Sequence, residues 1–519
     1  MIEPAVTAAP RGVRSVVAVG GGRGGAGKSV LAVNLAVYLA QLGRSVVLVD
    51  ADPAGAELHT MLGLEQPRGP DETDEAGLDD LAPLPTQIPG LLLLPQLYQV
   101  GSTVPVRPGR KPRWARRLRH LDVDHVLVDL GAGTAPATLD LFLGADLGLC
   151  VATPDPPGVE ATYRFLRAAF TRILRRALIK DPFKMRLVER TAQSLPPLPP
   201  PQDFVRALAR WDTALGALAA RELALFRPHL ALNFARLRAD AEVGASMAEL
   251  AHRYLGVGVD YVGHVEQDDS VWLSVVRRRP LLVDSPTSKS ARNLERIARR
   301  VLALVATREQ VRAESPIALV PLEPTLYEVL GTPRGATDEE LRRAYKRRRD
   351  VFQPGSLPLT SLLDEDGVRA ALARIEEAHD TLLDPLRRKA YDLSTFPEED
   401  AASAVAPPLD GAVAAERALL RQELEREIDA ETVFTGALLA KVRESLGIEI
   451  EQIAQRTKIS ASHLRSLEAD DFGSLPALVY TRGFLQQVAR HLGLDPTQVT
   501  KTYLRRLREA RAIAGEPPP

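Results

Sequence analysis

The chain has 519 residues, which predicts two to four domains because a domain usually has roughly 100–200 residues. Hydrophobic residues make up 45% and charged residues 26% of the chain, a composition that excludes a largely disordered protein. The 66 Lys and Arg residues nearly balance the 67 Asp and Glu residues, so a globally basic nucleic-acid coat and an acidic solvating chain are also excluded.

The first 310 residues alternate short apolar strands with helical segments. Strands are predicted at residues 15–20, 45–49, 91–94, 125–128 and 148–153. Their apolar residues mostly do not alternate with polar ones, which is typical of a parallel sheet covered by helices on both faces. We predict a surface loop at residues 65–89 and a helical insertion at about residues 180–228, broken by the Pro-rich segment 194–201.

A glycine-rich loop joins the first predicted strand to a mostly apolar helix. Residues 22–29 fit the phosphate-loop pattern GxxxxGK[ST]. Glycines let backbone N–H groups turn toward phosphates, and the helix N-terminus adds partial positive charge. Lys28 is predicted to neutralise the β- and γ-phosphates, and Ser29 to ligate Mg²⁺. The alternative is a plain glycine-rich turn before a helix.

Three carboxylates lie where two of the predicted strands end. Asp50 and Asp52 end one strand and Asp129 ends another. Because parallel strands present their carboxyl ends at one edge of a sheet, these acids are expected to converge on the phosphate loop. One could ligate Mg²⁺, directly or through water, and another could orient an attacking water. Asp is also a common turn former, so a purely structural role is the alternative for each.

On these residues the first 310 positions resemble the MinD/ParA ATPases with the deviant loop KGGxGK[ST], nearest to the MinD/FlhG branch. The resemblance implies binding of ATP and Mg²⁺ and a homodimer that forms around two ATP molecules. It assigns catalysis to Asp52, Lys28 and Arg23, and Mg²⁺ to Ser29 and Asp129. It assigns ATP binding to Gly24, Gly25, Ala26, Gly27, Lys28, Ser29 and Asn233.

Arg23 departs from the family's pattern, whereas Asn233 matches it. Arg23 stands where the family has a lysine that reaches the partner's phosphates; arginine keeps the charge but brings a planar fork on a longer stem. Asn233 matches an adenine-binding residue at the end of a late strand, and a plain strand-end Asn is the alternative. Residues 153–156 and 265–271 resemble two further loops on the nucleotide side.

The next segment resembles a DnaJ-type J-domain at its two ends. Residues 326–345 match the first part of such a domain, and residues 378–392 match its third helix and exit. A J-domain carries His-Pro-Asp just after its second helix, and this chain has Gln353-Pro-Gly355 there. We therefore predict a degenerate J-like domain at 325–393 that binds proteins, with an inert spacer as the alternative. A DnaK-type chaperone is not expected as its partner.

The last segment has the spacing of a helix-turn-helix. Apolar residues within 440–467 recur as expected for short helices that cross steeply. The segment and its continuation to residue 496 resemble the Cro-type domain at the N-terminus of RodZ, which binds a bacterial actin. Two interpretations stay open: binding of a cytoskeletal or polar protein, or DNA reading. The predicted contact residues are Ser462, His463, Arg465 and Ser466.

The overall prediction is an α/β P-loop NTPase with a mostly parallel sheet, followed by two small all-α domains. The ATPase occupies 1–310 and the helix-turn-helix domain 431–512, with linkers at 311–324 and 394–430 and a disordered tail at 513–519. The second linker is predicted to contain a charged helix. The basic segment 107–119 is either a solvated helix or an anion-binding surface.

Two functions are consistent with this architecture. The first is an ATP-hydrolysing dimerisation switch, slow and partner-stimulated, for spatial or regulatory control in a bacterial cell. The alternative is a helix-turn-helix transcriptional regulator whose ATPase domain is mainly an ATP-gated dimeriser with little turnover. A cytoplasmic protein is expected, since Cys150 is the only cysteine. Within the cytoplasm, a cell pole, the nucleoid and the inner membrane are the expected locations. The segment 293–304 is predicted to close the ATPase core, and a membrane-binding amphipathic helix is the alternative.

Overall fold

A computed structural model describes residues 15–52, 57–65, 83–95, 118–314, 324–396, 419–420, 424, 428–429, 432–457, 459–476 and 478–513. Most of the predicted loop at 65–89, of the basic segment at 107–119 and of the linker with its charged helix at 394–430 lies outside the described residues. The chain divides into two compact units. One contains Met1–Val301 with Arg312–Pro407, and the other contains Leu302–Val311 with Pro408–Pro519.

The first unit is built on an eight-stranded sheet. Its strands are β1 Ser15–Gly20, β2 Val46–Ala51, β3 Leu84–Pro85, β4 Leu91–Leu94, β5 His125–Leu130, β6 Leu147–Ala152, β7 His229–Ala235 and β8 Asp260–Glu266. The spatial order is β3-β4-β2-β5-β1-β6-β7-β8, and among the described strands all neighbours are parallel except β3 and β4. Strands β1, β2 and β5 are buried along their whole length. The predicted α/β fold with a mostly parallel sheet is confirmed.

Helices cover this sheet and form the insertion. They are α1 Lys28–Gln41, α2 Leu58–Met61, α3 Pro136–Gly144, α4 Pro156–Ala177, α5 Pro182–Gln193, α6 Pro201–Trp211, α7 Thr213–Leu225, α8 Arg238–Leu250, α9 Asp269–Val276, α10 Leu281–Asp284 and α11 Lys289–Glu314. A short π-helix, Ala251–Leu255, follows α8 directly. Helices α5 to α7 form the insertion, and Asp181 and Asp212 cap α5 and α7 by accepting backbone N–H bonds.

Helix α11 contains the amphipathic segment at 293–304. Its residues Leu294, Ile297 and Ala298 are almost completely buried. These apolar side chains pack inside the protein, so they do not form a free lipid-facing stripe. No helix in the described part of the chain is long and apolar enough to span a membrane.

The J-like region belongs to the same unit as the sheet. Its helices are α12 Leu326–Leu330, α13 Asp338–Val351, α14 Glu365–Leu383 and α15 Pro385–Thr395, with a 3-10 turn at Leu357–Leu359. The predicted third helix at 378–392 is the end of α14 and the start of α15. Asp384 caps α15 by accepting the N–H groups of Leu386 and Arg387, and Pro385 favours a helix start because it has no N–H to satisfy.

The second unit contains the predicted helix-turn-helix. Its helices are α16 Gly436–Leu446, α17 Ile450–Thr457, α18 Ala461–Glu468, α19 Leu478–His491 and α20 Pro496–Ile513. Ser460 caps α18 by accepting the backbone N–H of His463 at 3.3 Å. Leu464, Leu467, Leu485 and Tyr503 are buried together, and the Tyr503 hydroxyl donates to the Leu467 carbonyl at 2.8 Å. The motif helices α17 and α18 therefore pack on a core that α19 and α20 complete.

Candidate nucleotide-binding site

The loop between β1 and α1 depends on its glycines. A Cβ at Gly22 would lie 2.1 Å from the Ala161 carbonyl oxygen in α4, too close for any side chain. Gly27 has φ +85° in the left-handed region, and its Cβ would lie 2.0 Å from Asn233 Nδ2. By contrast, a Cβ at Gly24 would meet nothing within 4 Å. The loop is therefore closely packed underneath and open at Gly24, where phosphates could approach.

Lys28 lies in the first turn of α1 and is only 6% exposed. Its Nζ donates to the Arg23 carbonyl at 3.0 Å, which folds the side chain back along the loop. Burial lowers the pKa of Lys28, while the charges of Asp129 and Asp52 oppose that shift. The residue is thus a buried cation held beside two acids.

Asp50 and Asp129 are neighbours across the β2–β5 pair and are both almost fully buried. Burial raises the pKa of each to about 7. For Asp129, a hydrogen bond from Ser29 and the charge of Lys28 oppose this shift, whereas the charges of Asp50 and Asp52 add to it. Burial therefore favours the protonated form of both carboxyls at the strand ends.

The oxygens around Asp129 fit a magnesium ion. Among the described residues, no group hydrogen-bonds to the buried Asp129 Oδ1, while Ser29 bonds to the same carboxyl group. A hydroxyl and a carboxylate are ligands that Mg²⁺ accepts, and the ion keeps several waters or phosphate oxygens as further ligands. No cluster of three or more His, Cys, Asp or Glu in the described chain could hold a metal alone. The site thus suits an ion that arrives with a phosphate ligand.

Asp52 follows β2 and is partly exposed. Its backbone N–H bonds to Asp50 Oδ1 at 3.4 Å, which ties the chain after β2 to the buried carboxyl. The charge of Asp52 acts on Lys28, Asp50 and Asp129, so it lies in the same acidic group. The structure thus brings the three predicted acids and Lys28 together at one edge of the sheet.

Arg23 points to its own chain. Its guanidinium forms an ion pair with Asp155 and donates to Thr153 Oγ1 at 3.3 Å. Asp155 is also the N-cap of α4, where it accepts the N–H of Gly158 at 3.0 Å. Sequence reasoning did not assign Asp155 a role. The signal was present, since an Asp directly before Pro156 is typical of a helix start.

An apolar cavity of about 260 Å³ adjoins the loop. Its wall includes Val30, Leu31, Phe234 and Trp272, so it suits a flat apolar group such as a nucleobase. Both loops singled out by resemblance lie near the site: residues 153–156 hold Arg23, and several residues of 265–271 line the cavity. Sequence reasoning missed Phe234 and Trp272.

Asn233 also lines this cavity, but its amide is already engaged. Nδ2 donates to the Ala26 carbonyl at 2.9 Å, and Oδ1 accepts the backbone N–H of Phe234 at 2.9 Å. Asn233 therefore braces the phosphate loop from β7. The following residue, Phe234, has φ +61°, an unfavourable conformation for a non-glycine residue.

The predicted contact residues of the helix-turn-helix lie in the second unit. Ser462 and Arg465 are exposed, whereas His463 and Ser466 are half-buried. Arg465 forms an ion pair with Glu451 of α17 at 2.6 Å. The Ser460 hydroxyl lies 2.9 Å from both Ser462 Oγ and His463 Nδ1. Part of the recognition surface is therefore paired within the domain.

Three parts of the chain match models of known families. Residues 12–156 match the ParA family model, described as NUBPL iron-transfer P-loop NTPase. Residues 325–392 match the DnaJ domain, and residues 438–499 match a helix-turn-helix domain. The antiactivator FleN of Pseudomonas aeruginosa is 25% identical over 289 residues, which cover 55% of this chain and 85% of FleN.

Two further similarities involve shorter or more distant matches. The iron-sulfur cluster carrier protein of Bacillus subtilis is 32% identical over 149 residues, or 27% of this chain, and the match spans only 40% of that relative's length. The septum site-determining protein MinD of Pyrococcus horikoshii, solved with Mg-ADP, is 19% identical, with a TM-score of 0.37. The aligned region covers 55% of this chain and 95% of the MinD chain. Residues 12–156 are therefore similar to ParA-type P-loop NTPases, residues 325–392 to DnaJ domains and residues 438–499 to helix-turn-helix domains.

Proposed function

We propose that this protein is a slow, partner-stimulated ATPase that dimerises with bound ATP and acts as a spatial or regulatory switch in a bacterial cell. One observation carries the proposal. Next to the open glycine loop, Ser29 hydrogen-bonds to the buried Asp129 and the charge of Lys28 acts on the same carboxyl, whose Oδ1 has no hydrogen-bond partner among the described residues. That arrangement suits a magnesium-bound triphosphate, and the adjacent apolar cavity suits its base.

Each residue then has a defined task. The loop backbone at residues 24–28 and the buried ammonium of Lys28 bind the phosphates. Ser29 and Asp129 would hold Mg²⁺, which neutralises developing phosphate charge when bound. Asp52, the partly exposed acid of the group, orients the attacking water. Asn233 keeps the loop in place through the Ala26 carbonyl.

Arg23 supports dimerisation by exchanging its contact with Asp155 for one with the phosphates of the second copy. In the single chain its guanidinium forms an ion pair with Asp155. In the proposed dimer, this side chain releases Asp155 and reaches the phosphates bound by the second copy. Its planar fork suits phosphate oxygens at least as well as it suits a carboxylate.

Cluster carrying, the activity named for the shorter relatives, is not extended to this chain. The whole sequence has one cysteine, Cys150, which is 1% exposed in the middle of the sheet. Burial raises the pKa of its thiol far above the usual range, and iron–sulfur clusters are held by thiolates. The residues therefore do not fit a cluster held by cysteines.

DNA binding is the second candidate function, for the C-terminal unit. Lys441 to Arg511 contain 12 Lys or Arg and 8 Asp or Glu, so this segment, which includes the helix-turn-helix, is mildly basic. Asp470, which follows the recognition helix α18, is neutralised by Arg506 at 3.0 Å. This pairing removes one repulsive charge next to a helix that would enter the major groove. A cytoskeletal or polar protein is the competing partner.

Lys28→Ala should weaken ATP binding more than tenfold, because a buried cation of the phosphate loop is lost. Titration with a fluorescent ATP analogue measures the affinity. Lys184→Ala, which alters a lysine on the insertion helix α5, is the matched control and should bind normally. Near-normal affinity in Lys28→Ala would refute the site.

Asp52→Ala should retain ATP but hydrolyse it at least tenfold more slowly, since water is no longer oriented. The variant should therefore accumulate as an ATP-bound dimer. Steady-state phosphate release and light scattering with ATP and with ADP measure the two effects. Unchanged turnover, or a monomer at saturating ATP, would contradict the role given to Asp52.

Mg²⁺-ATP should bind more tightly as the pH rises through about 7, because Asp129 must lose its proton to ligate the ion. Without nucleotide the sign is opposite. The raised pKa stabilises the folded state fully below the ordinary value of 3.8, and this contribution is lost as the pH rises through about 7. Asp129→Asn should weaken Mg²⁺-ATP binding and reduce both pH dependences, while the contribution of Asp50 to the stability profile remains. Titrations and thermal unfolding at pH 6, 7 and 8 test this; pH-independent wild-type profiles would count against it.

Arg465→Ala and Glu451→Gln should change DNA affinity in opposite directions. The first removes an exposed cation and should lower the salt dependence by about one charge, whereas the second frees Arg465 from its ion pair. ATP should tighten binding, since a dimer links two reading helices. Fluorescence anisotropy on genomic fragments, over a salt series with ATP, ADP or no nucleotide, measures these effects. If no fragment binds, the protein-partner interpretation replaces this one.

A further inference from the structure

The segment after α13 lies against helix α4 of the ATPase fold. The hydroxyl of Tyr163 donates to the Pro358 carbonyl at 2.7 Å, and both residues are buried. One turn further along α4, Arg167 donates to the Ser361 carbonyl at 3.1 Å. Two backbone carbonyls of the J-like region are thus satisfied by side chains of the ATPase, a specific contact that apolar packing alone would not require.

A second contact joins the same region to the end of α8 and the π-helix. Arg253 donates to the Val329 carbonyl at 3.1 Å and lies over the ring of Phe352, 5.6 Å from its centroid. Leu250, fully buried at the end of α8, belongs to the apolar cluster of the J-like region. Phe352 is fully buried in that cluster too. The core of this region is therefore completed by ATPase residues.

An ion pair also joins the J-like region to α8. Arg348 of α13 is 7% exposed, donates to the Leu330 carbonyl at 3.2 Å and forms an ion pair with Glu249 of α8. The Glu249 side chain is 47% exposed, so water screens this pair on one side. Separation of the J-like region from α8 would break the pair.

Both ATPase elements that hold the J-like region also reach the nucleotide site. Helix α4 begins at Asp155, which holds Arg23, and its Ala161 carbonyl packs against Gly22 of the phosphate loop. Tyr163 and Arg167 follow on the same helix, and Asp155 and Arg167 are about 18 Å apart along it, at 1.5 Å per residue. Helix α8 directly follows β7, which ends with the cavity residues around Asn233.

We infer that the J-like region is a regulatory surface of its own ATPase, and that its contact with α4 and α8 responds to the nucleotide. The inference rests on the proposed binding of ATP. When Arg23 leaves Asp155, the cap of α4 loses a partner and the helix that carries Tyr163 and Arg167 can shift. By thermodynamic linkage, weakening the contact must change ATP affinity by the same factor by which ATP changes the contact.

Hydrogen exchange of the full chain with and without Mg²⁺-ATP tests the first half of this inference. Amides in residues 352–363 should change their exchange rate at least threefold at saturating ATP. Lys28→Ala, which removes the phosphate contact, should abolish the change. An unchanged rate in wild-type protein that demonstrably binds ATP would overturn the inference.

Variants in the contact test the reciprocal half. Tyr163→Phe removes one hydroxyl and keeps the ring, and Glu249→Arg places a like charge against Arg348; each should change the Kd for ATP at least threefold. Glu189→Arg, an exposed position on α5, is the control and should leave Kd unchanged. Adding Arg348→Glu to Glu249→Arg should restore it, which a general loss of folding would not do. Equal affinities throughout would overturn the coupling.

Failure of the ATP site would be distinguishable from failure of the contact. In that case wild-type protein would show no ATP binding, and the nucleotide coupling would be overturned with it. The contact itself would still be seen without nucleotide, because Glu249→Arg would lower the thermal unfolding midpoint and the charge reversal would restore it. If neither variant altered unfolding or ATP affinity, the contact would have no energetic role.

Discussion

The site depends on burying carboxylates at the carboxyl ends of two adjacent parallel strands. Asp50 and Asp129 are opposite each other in the β2–β5 pair, so neither can move away from the other without breaking the sheet. Water does not stabilise their charges there, and the pKa of each rises to about 7 as a result. The two carboxyls lie near the buried Lys28, an arrangement that supports the proposed binding of a cation together with a phosphate.

The glycine loop, the sheet and the acids could be predicted because each leaves a local signal. The strands β1 and β4 begin and end as predicted, and the fully buried strands read as continuous apolar runs. Strand β8 gave no such signal: Asp260–Glu266 is only partly buried and contains Gly263 at φ +131°. The short antiparallel β3, Leu84–Pro85, is exposed and lies within the segment predicted as a loop.

Other features depend on residues far apart in the sequence, and no local pattern encodes them. The contact between Tyr163 and Pro358 spans 195 residues, and Asn233 reaches the Ala26 carbonyl across 207 residues. Resemblance assigned Asn233 to the base, and the structure adds its bond to the loop. In the same way, Arg348 of α13 forms an ion pair with Glu249 of α8, which is distant in the sequence. A motif shows which chemistry a side chain offers, and the fold decides which group receives it.

The strength of the ion pair between Arg23 and Asp155 decides how easily Arg23 can change partners. Both side chains of this pair are about 40% exposed, and exposed ion pairs usually contribute about 0.2–1 kcal/mol. The guanidinium also donates to Thr153, so it has a defined orientation but is not held tightly. A triphosphate from a second copy offers more negative charge and more acceptor oxygens than one carboxylate already shared with Gly158. Arg23, which stands where the family has a lysine, is therefore able to leave Asp155 in the proposed dimer. Because Asp155 caps α4, the loss of this ion pair would affect the first turn of that helix.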